Sequence, residues 1–92
     1  MISYNEAIDI EVMETLESCA LKDYTKIEGT YGRGFASGTH LGTDVWPGRN
    51  NILYVACPEK EAGQLFSSII MLRKRLGKEG IKAFVWNLEN IT

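Results

Sequence analysis

Two kinds of periodicity alternate along the chain and predict two helices. Apolar residues recur at three- and four-residue steps from Ile10 to about Leu21, which is typical of a short amphipathic helix with Asp9 as its N-cap. A longer helix is predicted between Pro58 and Gly77, because acidic residues follow the proline and basic residues precede the glycine. The apolar stripe of this second helix comprises Ala62, Leu65, Phe66, Ile69, Leu72 and Leu76.

The remaining apolar segments predict four strands, at about 2–8, 24–31, 51–57 and 81–88. The third, NILYVAC, is an unbroken apolar run, which indicates a central, well-covered strand. The order strand, helix, strand, strand, helix, strand predicts an α+β, ferredoxin-like βαββαβ fold, with a four-stranded antiparallel sheet and two helices on one face. Since both faces of the last two strands read as apolar, the second face is expected to pack against further subunits.

Composition places the chain in the ordinary globular class. With 92 residues, 45% of them hydrophobic and 24% charged, one domain spanning 1–92 is expected. A formal net charge of −2 gives no support to nucleic acid as a partner. The acidic start MISYNEAIDIEVME is unlike a signal peptide, and no apolar run reaches the length of a membrane span, so a cytoplasmic protein is expected.

The segment 29–50, GTYGRGFASGTHLGTDVWPGRN, has no steady period and contains six of the nine glycines. Glycines at Gly29, Gly32 and Gly34 permit positive φ and a close approach of backbone N–H groups to an anion. Arg33 and Arg49 bracket the segment with guanidinium groups suited to bidentate anion contacts. The glycine spacing follows a strand but precedes a loop, whereas a dinucleotide-binding fingerprint would open a helix.

Several single residues allow two interpretations. Trp46 either pins the loop against the sheet or stacks on a ligand ring, and His40 is either a hydrogen-bonding loop side chain or a metal ligand. Asp44 is interpreted as an Asx turn rather than a catalytic group. Cys19 and Cys57 fit no metal-binding spacing and are expected to be reduced and packed, although a zinc site with His40 is the alternative. The basic cluster Arg73, Lys74, Arg75 and Lys78 is either a solvated helix end or an anion-binding rim.

The element order, the long loop between the second and third strands, and the strings GTYGRG and GIKAFVW together resemble the PII signalling superfamily, most closely its small PII-like members. Tyr31, Gly32 and Arg33 match the end of the family's Gly-aromatic-Gly-Arg string, and Lys82 matches its lysine at the start of the fourth strand. Two positions depart from the pattern. Lys78-Glu79-Gly80 stands where the family has Gly-Asp-Gly, and no pair of arginines follows the fourth strand.

The resemblance implies a homotrimeric regulatory protein that binds a small-molecule effector in clefts between subunits. The expected effector is an adenine nucleotide or another small anion, and the expected target of the loop is a transporter or an enzyme. The residues expected to bind the ligand are Gly32, Arg33, Gly34, Lys82, Arg49 and Trp46. Those expected to contact a protein partner are Phe35, Ser37, Thr39, His40, Leu41 and Asp44.

Other function classes remain open at the level of sequence. A CutA-like metal-binding trimer would use His40 with Asp44 or a cysteine, and an ACT-like small-molecule sensor would share the element order. No nucleophile paired with a histidine and no Walker A or HExxH motif is present in the sequence, so an enzyme is not predicted.

Overall fold

The computed structural model describes residues 1–34, 38–40, 49–77 and 80–92, with the backbone alone described at 33–34 and 38–40. The elements in chain order are β1 (Ile2–Asn5), a 3-10 helix (Glu6–Ile8), α1 (Asp9–Ser18), β2 (Thr25–Thr30), β3 (Gly32–Gly34), β4 (Gly38–His40), β5 (Asn50–Tyr54), α2 (Glu59–Leu76) and β6 (Ile81–Ala83). Four strands form a sheet in the order β2-β5-β1-β6, and β3 and β4 form a separate two-stranded sheet.

All neighbouring strands of the main sheet are antiparallel, so the predicted ferredoxin-like fold is confirmed. The two connections that carry α1 and α2 each pass over one intervening strand, β5 in the first case and β1 in the second. β5 is therefore an internal strand, as its apolar sequence predicts.

The core lies between the sheet and the two helices. Its centre consists of fully buried side chains from both layers, with Tyr4 and Leu53 from the sheet and Val12, Leu16 and Ile69 from the helices. These residues alternate along the strands and recur at helical steps, which is the pattern that the sequence predicts. Phe66 was expected in the apolar stripe of α2 but is 39% exposed, because the buried line of this helix runs through Leu65, Ile69 and Leu72.

The first strand is shorter than predicted. It ends at Asn5, whose side-chain oxygen accepts a hydrogen bond from the Ala7 N–H at 2.9 Å and starts the 3-10 helix. The N-cap of α1 is Ile8, which makes no side-chain cap, and Asp9 is the first residue of the helix. The prediction of Asp9 as an N-cap was wrong, because its carboxylate binds other partners.

The strands predicted at 51–57 and 81–88 are also shorter, and both end where their neighbours stop pairing. The last pairs of β5 are Leu53 with Ile2 of β1 and Tyr54 with Thr25 of β2. Beyond β6, one further pair of backbone hydrogen bonds joins Phe84 to Met1. A strand needs a partner for its N–H and C=O groups, so the apolar residues that follow are not in the sheet.

The sheet face away from the helices is of mixed character. It carries Ser3 and Lys82 beside apolar side chains such as Ile27, Ile52 and Tyr54. Ile27 and Tyr54 are 44% and 43% exposed. The third strand is thus covered on one face within a single chain, and the covering of its second face by a further subunit stays a prediction.

Candidate functional site

The two ends of the long loop meet at one end of the main sheet, where β2 finishes and β5 begins. We call this region the loop base (residues 29–32 and 49–51). Thr30 pairs with Asn50 across β2 and β5, and the Thr30 hydroxyl donates a hydrogen bond to the Asn50 carbonyl at 2.7 Å. The register of the two strands shifts between Ile27 and Thr30, which places a bulge at Gly29. Gly29 has a φ of 70°, so its glycine is required by the backbone.

Both the side chain and the backbone of Arg49 make contacts that hold it at the loop base. Its guanidinium carbon lies 5.8 Å from the centroid of the Tyr31 ring, within the range of a cation–π interaction. Its carbonyl accepts a hydrogen bond from the Glu6 N–H at 2.7 Å. Within the part of the chain that the structure describes, no carboxylate pairs with Arg49, so its exposed charge is available to an anion.

Gly32 allows β3 to pass close to the start of β5. A Cβ at this position would collide with the side-chain amide of Asn50. β3 then pairs with β4 in an antiparallel hairpin, with Gly32 opposite His40 and Arg33 opposite Thr39. The sequence did not predict this hairpin, because three-residue strands rich in glycine lack the alternation that marks a strand.

Lys82 lies on β6, the edge strand that β1 separates from β5. It pairs with Ser3 and is exposed, while its neighbours Ile81 and Ala83 point towards the core. Just before β6, the Gly80 carbonyl accepts a hydrogen bond from the Asn5 N–H at 2.9 Å. Since the next N–H, that of Glu6, binds the Arg49 carbonyl, the start of β6 and the loop base meet around residues 5 and 6.

The other predicted site residues are only partly described. The backbone of Arg33, Gly34, Thr39 and His40 lies in the hairpin. Phe35, Ser37, Leu41, Asp44 and Trp46 lie outside the described residues, as does Lys78 of the basic cluster. The ligand and partner roles of all these residues stay predictions. Of the predicted ligand-binding residues, the structure brings Gly32 and Arg49 together at the loop base, whereas Lys82 lies on β6, on the far side of β1.

A partly buried polar network behind the loop base was not predicted from the sequence. Asp9 Oδ1 accepts hydrogen bonds from the Tyr4 hydroxyl at 2.5 Å, Lys26 Nζ at 2.8 Å and Asn51 Nδ2 at 3.3 Å. Asp9 Oδ2 accepts a second bond from Lys26 at 3.1 Å. Asn51, which is 4% exposed, accepts a bond from the Gly29 N–H at 3.4 Å. The network thus joins the start of α1 to the bulge at the loop base.

The protonation behaviour of the network follows from its contacts. Burial disfavours the ionised form of Asp9, but the hydrogen bonds from Lys26 and Tyr4 and the charge of Lys26 outweigh it, so the pKa of Asp9 is lowered. Burial, followed by the hydrogen bond to Asp9, raises the pKa of the Tyr4 hydroxyl well above its ordinary value. Asp9 is therefore an anion and Tyr4 a neutral donor at neutral pH.

The positions of the network residues gave a weak signal in the sequence. In β2, the residues on either side of Lys26 lie on the sheet face away from the helices, and the partner of Lys26 on β5 is the buried Leu53. Lys26 therefore lies on the core-facing side of the strand. A lysine on the core-facing side of a strand requires a carboxylate partner. Asp9 and Asn51 both lie beside apolar runs in the sequence, where Asp9 indicates a helix cap and Asn51 the beginning of a strand.

A large apolar groove of about 960 Å³ lies at the opposite end of the sheet from the loop base. It is bordered by the first turn of α2 and by residues 84–91, and its lining includes Tyr24, Tyr54, Phe66, Phe84 and Trp86. Phe84 and Trp86 are 47% and 57% exposed. These residues leave a broad apolar surface uncovered in a single chain.

Both cysteines are free thiols and partly buried, in agreement with the expectation of reduced, packed residues. Cys19 packs against the core with its sulfur 3.7 Å from the Ser68 hydroxyl, and Cys57 lines the apolar groove. Among the side chains that the structure describes, no three of His, Cys, Asp or Glu are grouped to hold a metal ion, and His40 is not one of these side chains.

No described helix combines the length and the apolar character needed to cross a membrane. α2, with 18 residues, ends in Arg73, Lys74 and Arg75.

Comparison with known proteins gives a match at the level of structure. No protein-family model matches the sequence, and no curated protein sequence matches it either. Among solved structures, the chain is similar to CPII, a nitrogen regulatory PII-like protein from Thiomonas intermedia K12, which was solved bound to ADP, AMP and bicarbonate. The TM-score is 0.69 at 18% sequence identity, and the alignment covers 88% of this chain and 76% of CPII. The resemblance noted in the sequence is thereby supported in three dimensions, and the chain has the fold of a PII-like nitrogen regulatory protein.

Proposed function

We propose that this protein is a PII-like regulator that binds an adenine nucleotide or another small anion at the loop base. The observation that carries the proposal is the exposed Arg49 guanidinium, held over Tyr31 where the loop joins the sheet. Lys82 of β6 is proposed to add a second positive charge, and the bulge at Gly29 brings backbone close to Arg49. A protein of the same fold was solved with ADP, AMP and bicarbonate, which defines the ligands to test first.

Each of these groups suits the chemistry of a phosphate or a bicarbonate. A guanidinium offers a planar pair of N–H donors that matches two oxygens of one anion, whereas a lysine offers a single charged donor. Arg33, whose backbone lies in the hairpin, is proposed as the second guanidinium of the site. Trp46 is proposed to stack on the base of a nucleotide, because an indole ring offers a flat apolar surface.

We further propose that the functional form is a homotrimer with the binding sites between subunits. The support is the apolar surface left open by one chain, which comprises the uncovered sheet face with Ile27 and Tyr54 and the exposed segment with Phe84 and Trp86. An isolated chain of this size rarely leaves so much apolar surface in water. Sedimentation at micromolar concentration should give three times 10.3 kDa.

A pair of substitutions tests the trimer surface. Tyr54→Asp places a charge on the uncovered sheet face and should dissociate the assembly. Met71→Asp changes a residue of α2 that is 68% exposed and outside this surface, and should leave the mass unchanged. A monomeric wild type, or a Tyr54→Asp variant that keeps the wild-type mass, contradicts the proposed assembly.

Isothermal titration with ADP, AMP and bicarbonate tests the binding site. Removing one charged hydrogen-bond donor costs about 1.5 to 3 kcal/mol, so Arg49→Gln and Arg33→Gln should each weaken binding by roughly 10- to 150-fold. Arg73→Gln, at the exposed end of α2, removes the same charge away from the loop base and serves as the matched control. Equal affinities for the Arg49→Gln variant and the control refute the assignment of Arg49.

The loop is proposed to change conformation with the ligand and so to control a protein partner, such as a transporter or an enzyme. The residues proposed to contact the partner are Phe35, Ser37, Thr39, His40, Leu41 and Asp44. Trypsin can cleave after Arg33 and Arg49, so a ligand that orders the loop should slow cleavage at these two sites. The basic end of α2 provides reference sites at Arg73 and Arg75. Cleavage that is insensitive to a bound ligand speaks against a ligand-controlled loop.

A further inference from the structure

The bulge at Gly29 is held by a side chain rather than by the strand ladder. β2 and β5 lose register between Ile27 and Thr30, and the Gly29 N–H points to Asn51 Oδ1 at 3.4 Å. A backbone N–H that is turned away from the ladder needs another acceptor when water is excluded. The side chain of Asn51, which is 4% exposed, supplies this acceptor.

Asn51 is itself fixed from the opposite side. Its Nδ2 donates to Asp9 Oδ1 at 3.3 Å, and Asp9 is in turn held by Lys26 at 2.8 Å and Tyr4 at 2.5 Å. The amide can therefore not rotate without losing either its donor bond or its acceptor bond. Asn51 is the one described residue that bonds both to this network and to the bulge.

The bulge in turn determines where Arg49 lies. A Cβ built on Gly29 would be 3.5 Å from Arg49 Nη1 and 3.8 Å from its Cδ, so the arginine side chain packs directly over this glycine. The same guanidinium lies over the Tyr31 ring, two residues further along the chain. A change in the peptide at Gly29 would move both surfaces that position the charge.

We propose that Asn51 is a positioning residue for the anion site: it locks the Gly29 bulge to Asp9 at the start of α1 and thereby fixes Arg49 and Tyr31 in their binding geometry. This inference rests on the proposed function of the loop base. It assigns to Asn51 no contact with the ligand. The expected consequence of losing Asn51 is a weaker site with all of its ligand-binding side chains still present.

The first test compares Asn51→Leu with Ile69→Val by titration with ADP, AMP and bicarbonate. Leucine has the same number and branching of side-chain heavy atoms as asparagine but makes neither bond, so affinity for whichever of these ligands binds the wild type should fall at least 10-fold. Ile69→Val lowers stability in the core below α2 without touching the network and should leave affinity within twofold. Wild-type affinity in the Asn51→Leu variant overturns the proposal.

The second test needs no ligand and uses hydrogen exchange at the Gly29 amide in the free protein, expressed as a protection factor. Asn51→Leu should reduce protection at Gly29 at least 10-fold more than Ile69→Val does. Unchanged protection at Gly29 overturns the proposal. Loss of protection together with no binding of any of the three ligands to the wild type would refute the proposed function while leaving the hold of Asn51 on the bulge established.

Asn51→Asp gives a readout that a merely structural role would not produce. At neutral pH its carboxylate can still accept from the Gly29 N–H, but it cannot donate to Asp9 and is repelled by that carboxylate, so the side chain is no longer held where the bulge requires it. The other charged groups nearby are Lys26, which binds Asp9, and Glu28, which acts on Tyr4 from β2. Once the new carboxyl is protonated, it can donate to Asp9 and still accept from Gly29. Protection at Gly29 should therefore be low at pH 7 and recover towards the wild-type value near pH 5. A variant whose protection factor is the same at both pH values refutes the role of the Asn51 amide as a bridge.

Discussion

Tyr4→Phe is the substitution whose effect follows most directly from the structure. Tyr4 is 1% exposed, and its hydroxyl donates to Asp9 Oδ1 at 2.5 Å. Phenylalanine fills the same volume, so the change removes one hydrogen bond to a carboxylate and creates no cavity. A bond of this kind contributes about 1.5 to 3 kcal/mol. The side chain of Asp9 is 34% exposed, and water can replace part of the lost bond, so we expect about 1 to 2 kcal/mol.

The stability lost in Tyr4→Phe should depend on pH, in a direction set by the ionisation of Asp9. The pKa of Asp9 is lowered in the folded protein, so the ionised network contributes stability above the unfolded pKa of about 3.9 and loses it as the pH falls through the folded pKa. The hydroxyl of Tyr4 favours the carboxylate over the neutral acid. The difference between wild type and Tyr4→Phe should therefore be full at pH 7 and shrink as the pH falls through the lowered pKa of Asp9.

Urea unfolding at one fixed protein concentration, at pH 7 and at a pH below the folded pKa of Asp9, measures this difference. The matched control is Asp9→Asn, alone and combined with Tyr4→Phe, because removing the carboxylate should abolish most of the effect of the hydroxyl. Equal losses at the two pH values, or additive effects in the double variant, would show that the Tyr4 hydroxyl does not act through ionised Asp9.

Three further predictions concern single backbone positions and one thiol. Ala20 has a φ of 58°, a left-handed conformation that costs alanine about 1 to 2 kcal/mol. Ala20→Gly should therefore raise the free energy of unfolding, measured in urea, by about 0.5 to 1 kcal/mol, because the greater chain entropy of glycine in the unfolded state offsets part of the gain. Gly77 has a φ of 68° at the end of α2, so Gly77→Ala should destabilise by about 1 kcal/mol, whereas Gly63→Ala, inside the same helix with open space around it, should stabilise by about 0.5 to 1 kcal/mol by the same measurement. Burial and then the charge of Glu61 raise the pKa of the Cys57 thiol, so Cys57 should react with iodoacetamide at pH 8 more slowly than a peptide thiol, and Glu61→Gln should speed the reaction.

The layout of the fold was predictable from the sequence because its signals are local. The apolar stripe of α2 and the positive φ of Gly77 at its end both follow from residues within a few positions of each other. The element order and the handedness of crossovers then leave few ways to arrange four strands and two helices. The strand ends were not predictable in the same way. β5 stops at Tyr54 although Val55 and Cys57 continue its apolar run, because no residue of β1 or β2 remains to pair with them.

The loop base was predictable only in part, for the same reason. Arg49 and Gly32 attract attention as an arginine and a glycine in a glycine-rich loop, and the structure brings both to the point where the loop meets the sheet. What holds them there is built from Asp9, Lys26 and Asn51, which come from three different elements and are joined by bonds across 17 and 42 positions of sequence. No periodicity relates such residues to one another.

Because its members come from distant parts of the chain, the network is expected to hold several elements together at the loop base. A local cap stabilises only the turn that contains it, whereas Asp9 bonds to residues of β1, β2 and β5 at once. Of these three strands, β2 leads into the loop and β5 leads out of it. A change in the loop that turns the Gly29 peptide must break its bond to Asn51, which is buried and has no water to replace the partner. The network therefore sets a free-energy cost on moving Arg49. Under the proposed function, an anion would bind more tightly to a site whose geometry folding has already fixed.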